Sequence, residues 1–253
     1  MTDLRLVLSA PDRVPLDEVL VVTARLANEG TASITTSSRL DLAEGDLDVV
    51  VRGPDGIARR AGWPWPVDSA LRQVELAPGQ VVEGAAMLLS AGGVQPLFPV
   101  AGSYTLVGQF TPSPDAVIDS EPIQVLREEP AEDAARARRR ALEDPEVIQS
   151  LASASVLGKG DMLAELAASG PPVARLLAQL ARGDAGTVRD TASDIVGQSD
   201  STTVAAAVAS VLPPGLFPGD ERLEAVAAVV AARDDTGKAT ALLTGQPYTP
   251  PSP

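Results

Sequence analysis

Cysteine and histidine are both absent from the 253 residues. Without cysteine there can be no disulfide and no thiolate metal site. Without histidine the chain lacks the commonest general base and the commonest transition-metal ligand. The two absences exclude a Ser-His-Asp triad, a Cys nucleophile and a His-based zinc centre. Aromatic residues make up only 3% of the chain, so its cores have to be built from Ala, Val and Leu. Lysine occurs twice, as Lys159 and Lys238, against many arginines. No apolar run approaches the roughly 18–20 residues needed to span a bilayer. The start, Met1-Thr2-Asp3-Leu4-Arg5, has no basic region followed by an apolar core, so it does not read as a signal peptide. The expectation is a soluble, cytoplasmic protein.

Hydrophobic residues form 45% of the chain, enough for real cores. The 34 acidic residues outnumber the 20 basic ones, giving a formal net charge of −14. Such a surface repels phosphate backbones and anionic lipid, which argues against nucleic acid and membrane as partners. A basic protein surface suits it better. No cofactor motif is present. Gly237-Lys238-Ala239-Thr240 looks like a phosphate loop only on the surface, because Ala232 stands where its first Gly belongs and a helical pattern precedes it.

The first half alternates with period two. Leu4, Leu6 and Leu8 form one strand, and Leu20, Val22, Ala24 and Leu26 form the apolar face of another. A Thr/Ser-rich stretch at 31–38 reads as an edge strand. Leu47, Val49 and Val51 end at Pro54-Asp55-Gly56, a turn in which Pro presets φ and Gly accepts a positive one. Residues 57–61 return as a hairpin partner. Further strands fall at 81–89, at 98–110 and around Ile123 and Val125. Phe98 to Phe110 is the centre of this half, with Tyr104, Leu106 and Phe110 on one face and Thr105 and Gln109 on the other. Tyr104 follows a Gly corner, where its hydroxyl can bond back to nearby backbone. About seven short strands at even spacing, with no helical period, favour an antiparallel sandwich.

The composition changes at Pro130. Residues 131–143 are rich in Ala, Arg and Glu. Asp144-Pro145-Glu146 is a helix start, with Asp as cap and Pro in the first turn, and Gly158 is the expected stop. Helical spacing continues through Met162–Leu166, Val173–Leu180, Val188–Ile195, Val204–Leu212 and Leu223–Val230, with a last turn or two at Leu242 and Leu243. Short Ala-rich helices with short loops pack antiparallel. The expected fold class is therefore α+β in segregated parts: an Ig-like β-sandwich over 1–129, an all-α domain over 130–244, and a flexible Pro-rich tail over 245–253.

These residues also carry a family resemblance. Leu20 to Leu26 followed by Asn28-Glu29-Gly30, Gly45-Asp46-Leu47 to Gly56, Leu76-Ala77-Pro78-Gly79, Phe98-Pro99 with Gly102 and Tyr104, and Ser120-Glu121-Pro122 resemble bacterial immunoglobulin-like modules. These include the intracellular proteinase-inhibitor and cell-adhesion-like types. The resemblance covers residues 1–127, and Ala101 stands where that corner usually has Pro. Asp144-Pro145-Glu146-Val147 is similar to a tetratricopeptide-like helical segment that sometimes follows such modules. The resemblance implies binding or scaffolding, and a proteinase-inhibitor-like activity is the alternative it raises; fold alone does not fix function.

Candidate contact residues follow from chemistry. Trp63-Pro64-Trp65-Pro66 holds both tryptophans, stiffened by prolines, and Trp is enriched at interface hot spots; the plainer reading is that the rings plug the end of the sandwich. Arg136, Arg138, Arg139 and Arg140 form a basic patch whose plainer role is i,i+4 pairing of Arg136 with Glu132, Arg139 with Glu143 and Arg140 with Asp144. Tyr248, in the Pro-rich tail, suits docking in a groove, although a solvated terminus is commoner. Asp41, Glu44, Asp46 and Asp48 crowd one segment but lack calcium-loop spacing. The expectation is a non-catalytic interaction or structural subunit of a larger assembly, with protein partners or a second copy of itself. A two-carboxylate hydrolase remains as a formal alternative, and it requires paired acids across a pocket.

Overall fold

A computed structural model describes residues 3–43, 46–64, 72–91, 95–113, 116–198, 201–211, 219–234 and 236–251. The fold is mixed α+β, with the strands before the helices. Among the described residues the strands are β1 (Leu4–Ser9), β2 (Arg13–Pro15), β3 (Leu20–Asn28), β4 (Ile34–Ser37), β5 (Leu47–Arg52), β6 (Ala58–Gly62), β7 (Gln73–Leu76), β8 (Val81–Leu88), β9 (Ser90–Ala91), β10 (Gln95–Pro96), β11 (Gly102–Ser113), β12 (Ala116–Asp119) and β13 (Ile123–Glu128). The helices are α1 (Asp133–Leu142), α2 (Pro145–Ser153), α3 (Gly160–Ser169), α4 (Pro172–Arg182), α5 (Ala185–Val196), α6 (Ser201–Val211), α7 (Glu221–Ala231) and α8 (Lys238–Thr244).

One sheet runs β1-β3-β8 and is antiparallel throughout. A second runs β10-β9-β6-β5-β11-β13-β2, with β12 on the far part of β11 and β2 parallel to β13. A β4–β7 ribbon stands apart. Alternation decides what each strand buries. Leu4, Leu6 and Leu8 of β1 join Leu20, Val22, Ala24 and Leu26 of β3 in one core. Leu47, Val49 and Val51 of β5 and Tyr104, Leu106 and Phe110 of β11 enter the same core from the second sheet. Leu8 lies so close over Gly108 that a Cβ there would come within 2.9 Å of its side chain, which explains the glycine inside β11. The Tyr104 hydroxyl donates to the Val100 carbonyl at 2.7 Å. Gly102 makes that corner with φ of +143°, and a side chain on it would strike the Pro54 ring. The Phe98 ring meets Tyr104 edge-on, with centroids 5.0 Å apart.

α2, α5 and α7 begin on their own side chains. Asp144 accepts from the Glu146 N–H at 2.9 Å, Asp184 from Thr187 at 3.1 Å and Asp220 from Arg222 at 2.9 Å. In each case a carboxylate satisfies a free amide at the positive end of the helix dipole. α2 stops before Gly158: Ala154 already takes the left-handed conformation, φ 48°, and ends the helix.

A second core lies between the helices, and it includes strand residues. Val19, Ala85 and Met87 belong to the same buried cluster as Leu151, Leu166, Leu177, Ile195, Val208 and Leu242. The outward face of β3 and β8 is thus a wall of the helical core, with α6 and α8 packed on β8. The sequence pattern implies a segregated pair of units; in the structure the helices cover one sheet.

The tail also differs from expectation. Tyr248 pairs with Val81 through two backbone hydrogen bonds of 2.9 Å each. Within that segment, Tyr248 is therefore docked on β8. The Tyr248 ring finds a buried acceptor there, which compositional reasoning about termini does not anticipate.

Candidate functional site

The concentration of buried charge lies at the corner between β2 and β3, Leu16-Asp17-Glu18-Val19, which faces the helices. The corner is short because the Glu18 N–H bonds the Pro15 carbonyl at 3.1 Å, turning the chain over one residue pair. Two acids flanked by leucine and valine are carried inward with their neighbours.

Glu18 is the first of these groups. Its Oε1 accepts the Val19 N–H at 2.7 Å and the Ala174 N–H at 2.8 Å, and its Oε2 accepts the Val173 N–H at 3.0 Å. α4 begins at Pro172 and has no side-chain cap of its own. A carboxylate from the strands therefore caps a helix 155 positions away in sequence. Burial pushes the Glu18 carboxyl up to about 7, against the opposing pull of the Val173, Ala174 and Val19 amides and the Arg127 charge. Desolvation of the anion outweighs three amide donors.

Arg127, at the end of β13, donates to the Glu18 carbonyl at 2.9 Å, and its guanidinium lies 4.6 Å over the Phe98 ring. Burial lowers it to about 10, opposed by the charges of Glu18, Tyr104 and Asp17. Its Nε and Nη1 have no hydrogen-bond partner among the described residues. They border a small cavity of about 30 Å³ shared with Glu18, Val19, Phe98 and Glu143, which is room for one or two waters. Asp17, beside Glu18, accepts from Arg138 of α1 at 2.9 and 3.1 Å, both groups largely buried. On its other side Glu18 borders an open apolar groove of about 370 Å³ between β2–β3 and the ends of α4, α5 and α6.

The described residues among those singled out from sequence lie on separate elements. Trp63 is half-buried and packs against the helical core. Pro64 follows it, also half-buried; Trp65 and Pro66 lie outside the described residues. Arg136 bonds the Ala131 carbonyl at 2.7 Å and pairs with Asp133 in place of the expected Glu132. Arg139 does pair with Glu143, at 3.0 Å, and adds Glu129 and the Pro99 carbonyl, both at 2.7 Å. Arg140 donates to the Arg136 carbonyl, and its expected partner Asp144 caps α2 and lies 3.7 Å from Lys159. Arg136, Arg138 and Arg139 thus pair with acids around α1, while Arg140 is exposed. In the acidic segment Asp46 pairs with Arg39, Asp48 with Arg60 and Asp41 with Arg72; Glu44 is outside the described residues. Among the described residues no group of three or more His, Cys, Asp or Glu could hold a metal, and no helix is long and apolar enough to cross a membrane.

Sequence reasoning missed Asp17, Glu18, Arg127 and Glu83. One local signal existed: Leu16-Asp17-Glu18-Val19-Leu20 places two acids inside an apolar run, where a charge requires a partner.

No protein-family model matches the chain, and no curated protein matches it. Among solved structures it is similar to a β-glucosidase from Erythrobacter marinus at 14% identity, over 49% of this chain and 15% of that one, with a TM-score of 0.27. It is also similar to β-glucosidase 3B from Thermotoga neapolitana in complex with glucose, at 16% identity over 49% and 17% of the two chains, TM-score 0.27. A β-glucuronidase from Bacteroides uniformis overlaps at 9% identity over 82% and 31%, TM-score 0.25. The chain spans less than a third of the length of each, and likeness at these TM-scores carries no argument about fold or activity.

Proposed function

We propose that this protein is a non-catalytic interaction or structural subunit of a larger cytoplasmic assembly, built as an Ig-like β-sandwich fastened to an Ala-rich helical unit. The strand orders support the Ig-like part: three strands with consecutive antiparallel pairing face a second sheet whose centre is β5-β11-β13. The Tyr104 hydroxyl bonding to Val100 supports it as well, as the corner such sandwiches carry.

The observation that carries the functional reading is the use of the buried charges. Asp17 takes Arg138, Glu18 takes the start of α4 and Arg127 takes the Glu18 backbone. Each joins one element to another, as expected of a body that holds a fixed shape for its partners. A hydrolase of the two-carboxylate kind needs an acid and a base facing substrate. Glu18 and Glu143 border one small cavity, but Glu18 is engaged with α4 and Glu143 with Arg139.

The test is capture with the tagged full chain from its native host, followed by mass measurement of the intact complex. A complex of fixed stoichiometry, with another protein or with further copies of this chain, is the expected result. A chain recovered only as a monomer, or a hydrolytic turnover abolished by Glu18→Gln, ends the reading.

A further inference from the structure

We propose that the groove between α1 and α3 is a self-association face, on which a second copy of this chain docks about a two-fold axis running along the groove. The inference rests on the interaction reading above and names its partner and its surface.

The two helices pack against one another. Ala137 and Ala141 are one turn apart on α1, and side chains that small leave a hollow of about 210 Å³ against Met162 and Leu166 of α3. Leu166 is fully buried, whereas Met162 stands at the rim, 36% exposed. Val156 and Leu157, just before α3, are 48% and 57% exposed. The large hydrophobics exposed in the described helical half therefore all fall between positions 156 and 162. Exposed apolar side chains gathered in one stretch beside a hollow mark a contact surface, whereas scattered ones need no explanation.

The rims of the groove carry opposite charge. Arg140 stands on the α1 side; it is exposed, and it donates to the Arg136 carbonyl at 3.4 Å. The other arginines of α1 are taken, Arg136 by Asp133, Arg138 by Asp17 and Arg139 by Glu129 and Glu143. Asp161 and Glu165 are one turn apart on α3, both exposed. Arg140, Asp161 and Glu165 form no ion pair among the described residues.

That arrangement selects the occupant. A purely acidic partner is attracted by Arg140 and repelled by Glu165, and a purely basic one the reverse. A second copy turned about an axis along the groove lays its acidic rim over this copy's basic rim, and its basic rim over this copy's acidic one. Arg140 then faces Glu165 of the partner subunit, and the same pair forms again by symmetry. Each Met162 is carried over the other copy's Ala137–Ala141 hollow, which a flexible thioether fills well. A two-fold contact requires a patch that complements itself in this way. At a distance two chains of net charge −14 repel one another, so the local opposite charges are what permit a self-contact and fix its register.

The test uses the full chain in sedimentation at rising concentration, with circular dichroism to verify that each variant is folded. Wild type should pass from monomer to dimer between about 1 µM and 1 mM. Arg140→Glu and Glu165→Arg each set like charges opposite one another at two symmetry-related places, and each should weaken the dimer by about tenfold or more. An equimolar mixture of these two variants regains both pairs and should associate about as tightly as wild type, as should the chain carrying both reversals. Met162→Asp, which buries a charge in the hollow, should weaken the dimer by about tenfold or more. A wild type still monomeric at about 1 mM overturns the proposal. So does a dimer indifferent to any of the three substitutions, or a mixture no tighter than its components. A Glu165→Arg chain that dimerises more tightly than wild type, as net charge alone requires, overturns it as well. A chain that is monomeric alone but loses capture of a different protein on Met162→Asp assigns the face to that protein; the proposal then fails while the broader reading stands.

Discussion

The strand half and the helical half are held together differently. The strands share a core of leucine, valine and three aromatic rings, and every buried residue in it comes from the first 125 positions. The helices have a core of small residues, Ala174, Ala178, Ala192, Ala205 and Ala206 among them, closed on one side by Val19, Ala85 and Met87 of the strands. One half has its whole interior; the other lacks a wall without its neighbour. A boundary drawn by composition at Pro130 is thus real in sequence and unequal in energy. Short alanine-rich helices bury little area each, so their stability comes from packing.

Cutting the chain gives the sharpest test of that inequality. Residues 1–129 should unfold in a single cooperative transition, whereas residues 130–253 should show helical circular dichroism without one. A helical fragment that melts as sharply as the strand fragment would make the halves equals.

Glu18→Ala should come next in size. It strips α4 of its cap and removes the largest of the opposing charges beside the buried Arg127, which should cost about 3–5 kcal/mol by urea denaturation. The same residue gives a pH test. The folded carboxyl sits near 7, above its ordinary value of about 4.5, so its contribution is complete below about 4.5 and disappears as pH rises through about 7. The stability of wild type minus that of Glu18→Gln should therefore fall across that window, by about 3 kcal/mol at most. A flat difference would show that the amide donors cancel the effect of burial.

Trp63→Ala removes half-buried apolar surface from the helical side and should cost about 1–2 kcal/mol. An unchanged melting temperature would return Trp63 to the role of exposed contact. The smallest effect belongs to Tyr248→Phe, about 1 kcal/mol for one hydrogen bond to Glu83, read as a shift in urea midpoint. No shift would mean that the docked segment adds nothing to the strand half.

Much of this was legible where the pattern is local. Period-two alternation placed β1, β3, β5 and β11 and assigned their inner faces correctly, and Asp144 marked the start of α2. Strands of two to four residues, such as β2, β9 and β10, offer too little alternation to be seen. Gly158 misled because Ala154 adopts the left-handed turn that glycine usually supplies. The joint was invisible for a different reason. Asp17 meets Arg138 across 121 positions and Glu18 meets Val173 across 155, and no local period encodes such a meeting. The same holds for Tyr248 and Glu83, 165 positions apart.

The cap on α4 also sets an order of events during synthesis. Glu18 leaves the ribosome long before the amides it will meet; at about 5–20 residues per second, the 155 intervening positions take roughly ten to thirty seconds. Throughout that interval its side chain stands in water as an anion. When α4 arrives and closes over it, its affinity for a proton rises to near neutral pH. Docking of α4 onto the strands is therefore accompanied by partial proton uptake near neutral pH.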